Sequence, residues 1–415
     1  MKFGRFAKKY ITLAAAAMLT VTGCSANAND YKPNDQGQEV VDVSGDSSQP
    51  GTVPSGPTIL PGLMAIGERY VRDDGKMESY LTGEWVDAEI AQRRPMAVMI
   101  PNNRNALPQY GVSLADVIYE APMERCSCTR LMGIFQNYGD LEYVEPIRSA
   151  RHYFLQEALS YDAIYCNWGL AETYVSPLIN SDYVDNISAG VKGIDVPADE
   201  AFSRDKERQA LGWSLEYTGV MTLEGYNAAV SRLGYSTDYP TKNYTFPLPF
   251  ATDAALAEYE DYPDITEIYP GGDHNQSSAN GYSELNPYFV YNPEDHLYYR
   301  YQNGEPQIDE YTGEQLAVTN VIIKFVDGEV LDESGYMNFV VFGAGDGLLF
   351  TNGKCVELKW ARDLAFDEDL NYTDDIYAQT RYLYAENEEE EVILNKGKTW
   401  ICLVWNKYKD FTIYG

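Results

Sequence analysis

Histidine is nearly absent from this chain: three in 415 residues, at positions 152, 274 and 296. A serine or cysteine hydrolase needs a base beside its nucleophile, and none of the three lies in a recognisable nucleophile motif. Positive charge is scarce as well, with 31 Lys and Arg against 63 Asp and Glu and a formal net charge of −32. That excludes general nucleic-acid binding, which needs a basic footprint, and it opposes adsorption to an anionic membrane through surface charge. Beyond the first 24 residues no stretch approaches the roughly 18 apolar residues that span a bilayer. The run "DHNQSSANGYSE" (273–284) places side-chain oxygens at positions 1, 3, 5 and 12 of a calcium loop. It lacks the glycine that the sharp turn at position 6 requires. Among so many acidic residues, carboxylate pairs for glycoside hydrolysis carry no information.

What the chain has begins with its leader. Lys2, Arg5, Lys8 and Lys9 precede the apolar run "YITLAAAAMLTV", the pattern of a secretory signal over 1–23 rather than of a spanning helix. The run ends in "VTGC", which resembles the lipobox of bacterial lipoproteins and marks Cys24 as a diacylated anchor. Two acyl chains, at roughly 0.8 kcal/mol per buried CH₂, hold a protein stably on a bilayer. Residues 24–60 then read as the anchor and a flexible stalk rich in Ser, Asn, Asp, Gly and Pro. The expected location is the extracytoplasmic face of the cell membrane. Five further cysteines, Cys126, Cys128, Cys166, Cys355 and Cys402, leave at least one thiol without an internal partner. Cys126 and Cys128 are two apart, so in a strand they share one face and read as packing residues.

Two textures follow. Over 61–250, short apolar runs at 96–100, 115–123, 129–136 and 162–169 alternate with helical patterns at 149–162 and 222–235, the second bounded by Thr222 and Gly234. This predicts an α/β domain. Over 251–415 the runs are β-rich and turn-bounded, and Asn352–Gly353 is a hairpin signal, which predicts a mostly antiparallel β domain.

The span 93–151 holds Arg93, Arg94, Arg104, Arg125, Arg130, Arg148 and Arg151, with no lysine. Arginine offers a planar fork that matches carboxylate or phosphate, whereas lysine is a mobile point charge. In "PIRSARHYF" (146–154) Ser149 is the expected helix cap, which places Arg151 in the first turn and Arg148 just before it. Positive charge there opposes the helix dipole unless an anion joins it. The expected contacts are Arg130, Arg148 and Arg151, with Asn102 and Asn103 as polar neighbours. If the arginines serve structure only, internal carboxylates such as Asp116 or Glu120 are their candidate partners.

The stretches "RPMAVMIPNN", "LPQYGVSLADVIYE", "TRLMGIFQ" and "EPIRSARHYF", with the later "YYRYQNGEPQIDEYTGEQLAVTNVII" and "LNKGKTWICLV", resemble the YerB-like lipoproteins. The resemblance covers about 90–404 and implies a membrane-anchored extracytoplasmic protein of two domains, with no activity to carry over. This chain departs from it at "ERCSCTR" (124–130), where the family usually has a glycine pair, and at "LGWSLEYTG" (211–219), where it has a Pro-His-Asn-like stretch. The expected function is binding of an anionic envelope ligand, a cell-wall polymer or an envelope protein, with neither cofactor nor chemistry. One alternative is a scaffold for wall-synthesis proteins. Another rests on the order "MAVMI", Asp116, "PIRSAR", which is similar to the LytR-CpsA-Psr phosphotransferases. There Asp116 would help hold Mg²⁺ while Arg130, Arg148 and Arg151 neutralise a polyprenyl-pyrophosphate.

Overall fold

A computed structural model of the chain describes residues 71–415 apart from 240–247, 252–256, 258, 277–280, 284 and 370. The leader, Cys24 and the stalk lie outside the described residues.

The framework is one mixed sheet of eleven strands. In chain order these are β1 (Met96–Asn102), β2 (Val117–Pro122), β3 (Thr129–Phe135), β4 (Ile164–Asn167), β5 (Asn186–Ser188), β6 (Asn320–Val326), β7 (Gly343–Thr351), β8 (Lys354–Arg362), β9 (Arg381–Tyr384), β10 (Asn387–Glu391) and β11 (Thr399–Trp405). Their spatial order is β10-β9-β8-β7-β6-β11-β2-β3-β1-β4-β5. The N-terminal part pairs β1, β4 and β5 in parallel, as an α/β unit requires. The C-terminal strands are antiparallel with one exception. Strand β11 runs parallel to β6 on one side and to β2 on the other. The two textures therefore share a sheet, and the last long strand is the seam between them.

Every residue of β1, β3 and β6 is buried, because both faces of the sheet are covered. Alternation then sorts the side chains. Ala97 and Met99 face a core with α1 (His152–Leu159) and α2 (Glu172–Ile179). Met96, Val98 and Ile100 face the other way, toward α3 (Leu223–Leu233) and a smaller antiparallel sheet containing Pro287–Asn292 and Leu297–Gln302. Helix α3 follows the sequence reading closely: Thr222 accepts from the Gly225 amide at 3.1 Å, and Gly234 takes the left-handed position at φ 71°. The Asn352–Gly353 hairpin has φ of 50° and 72°, the two positive values of a type I′ turn, and joins β7 to β8. Among the described residues no helix is long and apolar enough to cross a membrane.

Buried charge bridges the seam. Glu157 on α1 holds Lys324 of β6 at 2.8 Å and Arg362 of β8 at 3.4 Å, all three with fully buried side chains. Glu120 on β2 accepts from Arg300 at 2.7 and 2.6 Å and from the Trp400 indole at 3.1 Å. Each carboxylate belongs to the N-terminal part and each cation to the C-terminal part, so these buried charges are neutralised across the seam.

Candidate arginine site

Arg130 is the second residue of β3, paired across the ladder with Pro101 and Ala121. Beside it the chain runs extended through Arg148–Ala150. The Arg148 amide donates to the Met99 carbonyl at 2.9 Å and the Ala150 amide to that of Gly169 at 2.8 Å. This sheet-like bonding delays the helix. Contrary to the sequence expectation, Ser149 is not the cap: α1 starts at His152, and Arg151 occupies the N-cap position with extended backbone and no side-chain cap. Ser149 instead packs at Gly169 (φ 87°), where an added Cβ would stand 2.8 Å from its hydroxyl.

The structure brings Arg130, Arg148 and Arg151 into one electrostatic cluster. Arg130 is 6% exposed and donates through Nη1 to the Ser149 carbonyl at 2.5 Å. Among the described residues its Nε has no hydrogen-bond partner and it forms no ion pair. Burial pushes its pKa down, and the charges of Arg151 and Arg148 push it further. Arg151 pairs with Glu124, donates to the Ala150 carbonyl at 2.9 Å and lies over the Tyr336 ring at 4.9 Å. Arg148 pairs with Glu216 at 2.9 Å and lies over Tyr217 at 5.2 Å, while its buried Nε also lacks a partner among the described residues. The two carboxylates are thus Glu124 and Glu216, at 34% and 48% side-chain exposure, and neither is Asp116 or Glu120. Burial raises the pKa of Glu124, but Arg151 and Arg130 outweigh it and hold the carboxylate ionised below the usual range.

Sequence reasoning missed Arg204. It lies over the Trp168 ring at 3.8 Å, and burial followed by the nearby Arg148 charge lowers its pKa. Nothing local in sequence signals this, because strand pairing between Phe202–Arg204 and Gly219–Thr222 delivers it from a distant loop. Four guanidinium groups face two carboxylates, an excess of two positive charges in a strongly acidic protein. The turn carrying Glu124 is unusual in another way. Arg125 and Cys126 both have positive φ, 51° and 62°, and the Arg125 amide donates to the Gly335 carbonyl at 3.1 Å. Left-handed backbone favours glycine, so the departure at "ERCSCTR" sits in a turn whose geometry suits the glycine pair it lacks.

Asn103 joins the cluster: its amide donates to the Tyr217 hydroxyl at 2.6 Å, and its buried Oδ1 has no partner among the described residues. Asn102 points elsewhere. It donates to Glu120 and Thr129 and accepts from Gln109, Gln302 and Gln307, so its hydrogen-bonding capacity is used inside the seam. Asp116 is also remote. It precedes β2, whereas Arg130 lies opposite Ala121, which puts about 17 Å of strand between them. Its carboxylate accepts the Gln136 amide at 2.6 Å and lines a cavity of about 140 Å³ with Lys398, Ser79 and Glu84. Burial raises its pKa, against the hydrogen bond from Gln136 and the charge of Lys398. The phosphotransferase reading would need one Mg²⁺ site to span the separation between Asp116 and the arginines. Among the described residues, no group of three or more His, Cys, Asp or Glu side chains is placed to hold a metal. A larger cavity of about 480 Å³, lined by Arg93, Tyr138, Asn227 and Asp238, is likewise separate from the cluster.

Comparison with known proteins agrees with this architecture. The family profiles "Protein of unknown function (DUF3048)" N-terminal domain and C-terminal domain match residues 81–233 and 278–401. The Bacillus subtilis protein named "Putative lipoprotein YerB" is 27% identical over 285 residues, covering 69% of this chain and 78% of YerB. The crystal structure of YerB from Bacillus subtilis superposes with a TM-score of 0.63 at 23% identity, over 81% of this chain and 99% of that one. The two profiles meet at the sheet described above, and the arginine cluster lies where they touch, with Arg151 from one against Tyr336 from the other. The chain belongs to the DUF3048 family, as a distant homologue of YerB.

Proposed function

We propose that this protein is a lipid-anchored extracytoplasmic protein that binds an anionic group of an envelope component through Arg130, Arg148 and Arg151. Asn103 and Arg204 stand at the edge of the site. The observation that carries the reading is Arg130, a buried guanidinium with an unbonded Nε and two like-charged neighbours, whose nearby carboxylate, Glu124, is already paired with Arg151. An anion placed there offsets a desolvation cost that Glu124, shared with Arg151, offsets only in part. Glu124 and Glu216 reach solvent and can yield Arg151 and Arg148 to a stronger acceptor such as phosphate, which a guanidinium fork matches in two places. Homology to YerB supports the anchored location.

The test is a thermal-shift titration with inorganic phosphate, pyrophosphate and phosphate-bearing wall fragments, each with and without Mg²⁺. The expected result is stabilisation independent of Mg²⁺ that disappears in the Arg148→Gln/Arg151→Gln variant. Stabilisation that requires Mg²⁺ favours phosphoryl transfer instead. An unchanged response in the variant removes both arginines from the site.

A further inference from the structure

Two leucines are the most exposed large apolar side chains among the described residues. Leu211 keeps 79% of its surface exposed and Leu215 59%, the highest values among the exposed large hydrophobic residues. They lie four apart on the turn between the helix Lys206–Ala210 and the helical turn Leu215–Tyr217, with Trp213 between them. A single exposed leucine needs no explanation. This pair is presented on a built support. Asp205 caps the helix, accepting from the Glu207 and Arg208 amides at 2.7 and 3.1 Å. Gly212, at φ 86°, turns the chain with no atom within 4 Å of where its Cβ would stand. The Trp213 amide returns to the Arg208 carbonyl at 3.0 Å, and its ring packs under the Arg208 guanidinium at 4.4 Å. Arg208 is in turn held by Glu145, Asp205 and Glu310. On the other side, Arg204 donates to the Leu215 carbonyl and Arg148 pairs with Glu216. The leucines are fixed outward between guanidinium groups.

An apolar tip, a tryptophan and flanking arginines form the composition of a membrane-interface contact. Leucine enters the acyl region, the indole sits at headgroup depth and guanidinium meets lipid phosphate. The occupant follows from the chain itself. Between Cys24 and Val71 lie 46 residues, which at full extension keep the body within about 160 Å of the bilayer that holds the anchor. We infer that the 211–215 turn inserts into that bilayer, with Arg148 and Arg204 against its lipid phosphates. The inference uses the anchor reading and goes beyond the anion site, which can hold with or without it. It also carries a sign. Glu207 and Glu216 border the tip and the chain's net charge is −32, so an anionic surface repels the body at long range. Contact with a phosphatidylglycerol-containing bilayer therefore strengthens as salt rises, opposite to a polybasic docking site.

The experiment uses the full lipidated protein reconstituted into phosphatidylcholine vesicles, with and without phosphatidylglycerol, whose acyl chains are brominated to quench tryptophan on contact. The native protein is expected to show a quenched component that is lost in Trp213→Phe, where the reporter is gone. The same component is expected to vanish in Leu211→Asp/Leu215→Asp at unchanged thermal stability and equal anchoring. Quenching of the double aspartate variant equal to native overturns the inference, as does quenching on the anionic vesicles that weakens with salt. The neutral variant Leu211→Ser/Leu215→Ser is expected to lose the quenched component as well while keeping the phosphate thermal shift intact, which separates this test from that of the anion site.

Discussion

Arg362 and Arg130 are almost equally buried, at 4% and 6% exposure, yet their surroundings are opposite. Arg362 has a partner for every nitrogen: the Ala378 carbonyl at 2.7 Å, those of Gln156 and Ile376 at 2.8 and 2.9 Å, and the Glu157 carboxylate at 3.4 Å. Its flat face covers the Phe342 ring at 4.3 Å. Arg130 has one carbonyl, two neighbouring arginines and no carboxylate of its own, since the nearby Glu124 is paired with Arg151. Burial alone therefore says little about an arginine's task; the balance of charge around it separates a structural cation from one prepared for a ligand.

The largest expected effect lies on the structural side. Replacing Glu157 by Gln removes the counter-charge of Lys324 and Arg362 together, and burial already pushes the Lys324 pKa down to about 8 against the pull of Glu157. Breaking a buried pair by removing one partner costs about 3–5 kcal/mol. Urea unfolding of Glu157→Gln should therefore shift to a much lower midpoint. A loss smaller than that caused by Arg130→Gln would invert the comparison.

Next comes His152, the residue after Arg151. Burial pushes its pKa down to about 4, against its hydrogen bond to Asn338, and its Nδ1 has no partner among the described residues. The unfolded chain takes up this proton near pH 6.5 and the folded protein only near 4, so the unfolded state binds more protons in between. The His152 contribution is complete above pH 6.5 and is lost as pH falls toward 4, a change of about 3 kcal/mol. The difference in unfolding free energy between the native protein and His152→Gln, measured from pH 7.5 to 4, isolates this slope. A constant difference would show that the imidazole is solvated in the fold.

Much of this was legible in the sequence, for identifiable reasons. Short continuous apolar runs marked 96–100 and 129–136, and Thr222, Gly234 and Asn352–Gly353 carry chemistry that acts within a few residues. The shared sheet was not legible, because β11 reaches β2 across nearly 300 positions and no local signal encodes a partner so distant. The same limit explains the site. Arg130, Arg148 and Arg151 were visible as arginines in a region without lysine. Arg204 was not, and the true carboxylate partners sit in the short helical turns Glu124–Cys126 and Leu215–Tyr217 rather than at Asp116 or the strand residue Glu120. The misplaced cap at Ser149 has a tertiary cause, since bonds to Met99 and Gly169 outweigh a local preference worth about 1 kcal/mol.

The third prediction concerns Arg130 itself. Arg130→Gln removes a buried charge that forms no ion pair of its own among the described residues and only shares Glu124 with Arg151, so the apo protein should become more stable by about 1 kcal/mol or stay unchanged. The phosphate response should disappear in the same variant. Destabilisation of several kcal/mol would mean that Arg130 is structural after all, placing it with Arg362.

The smallest effect gives the finest distinction. Glu216 is nearly half exposed, so its pair with Arg148 should add no more than about 0.5 kcal/mol to folding. Replacing it by Gln leaves the fold intact but frees Arg148 and raises the excess charge of the cluster from two to three. If an anion displaces Glu216 when it binds, Glu216→Gln should tighten phosphate binding about two- to fivefold, the equivalent of about 0.5–1 kcal/mol, with the gain shrinking as salt rises. Isothermal titration of native and variant protein at two salt concentrations measures this directly. Equal affinities would show that phosphate does not compete with Glu216 for Arg148, and that any anion is held by Arg130 and Arg151 alone.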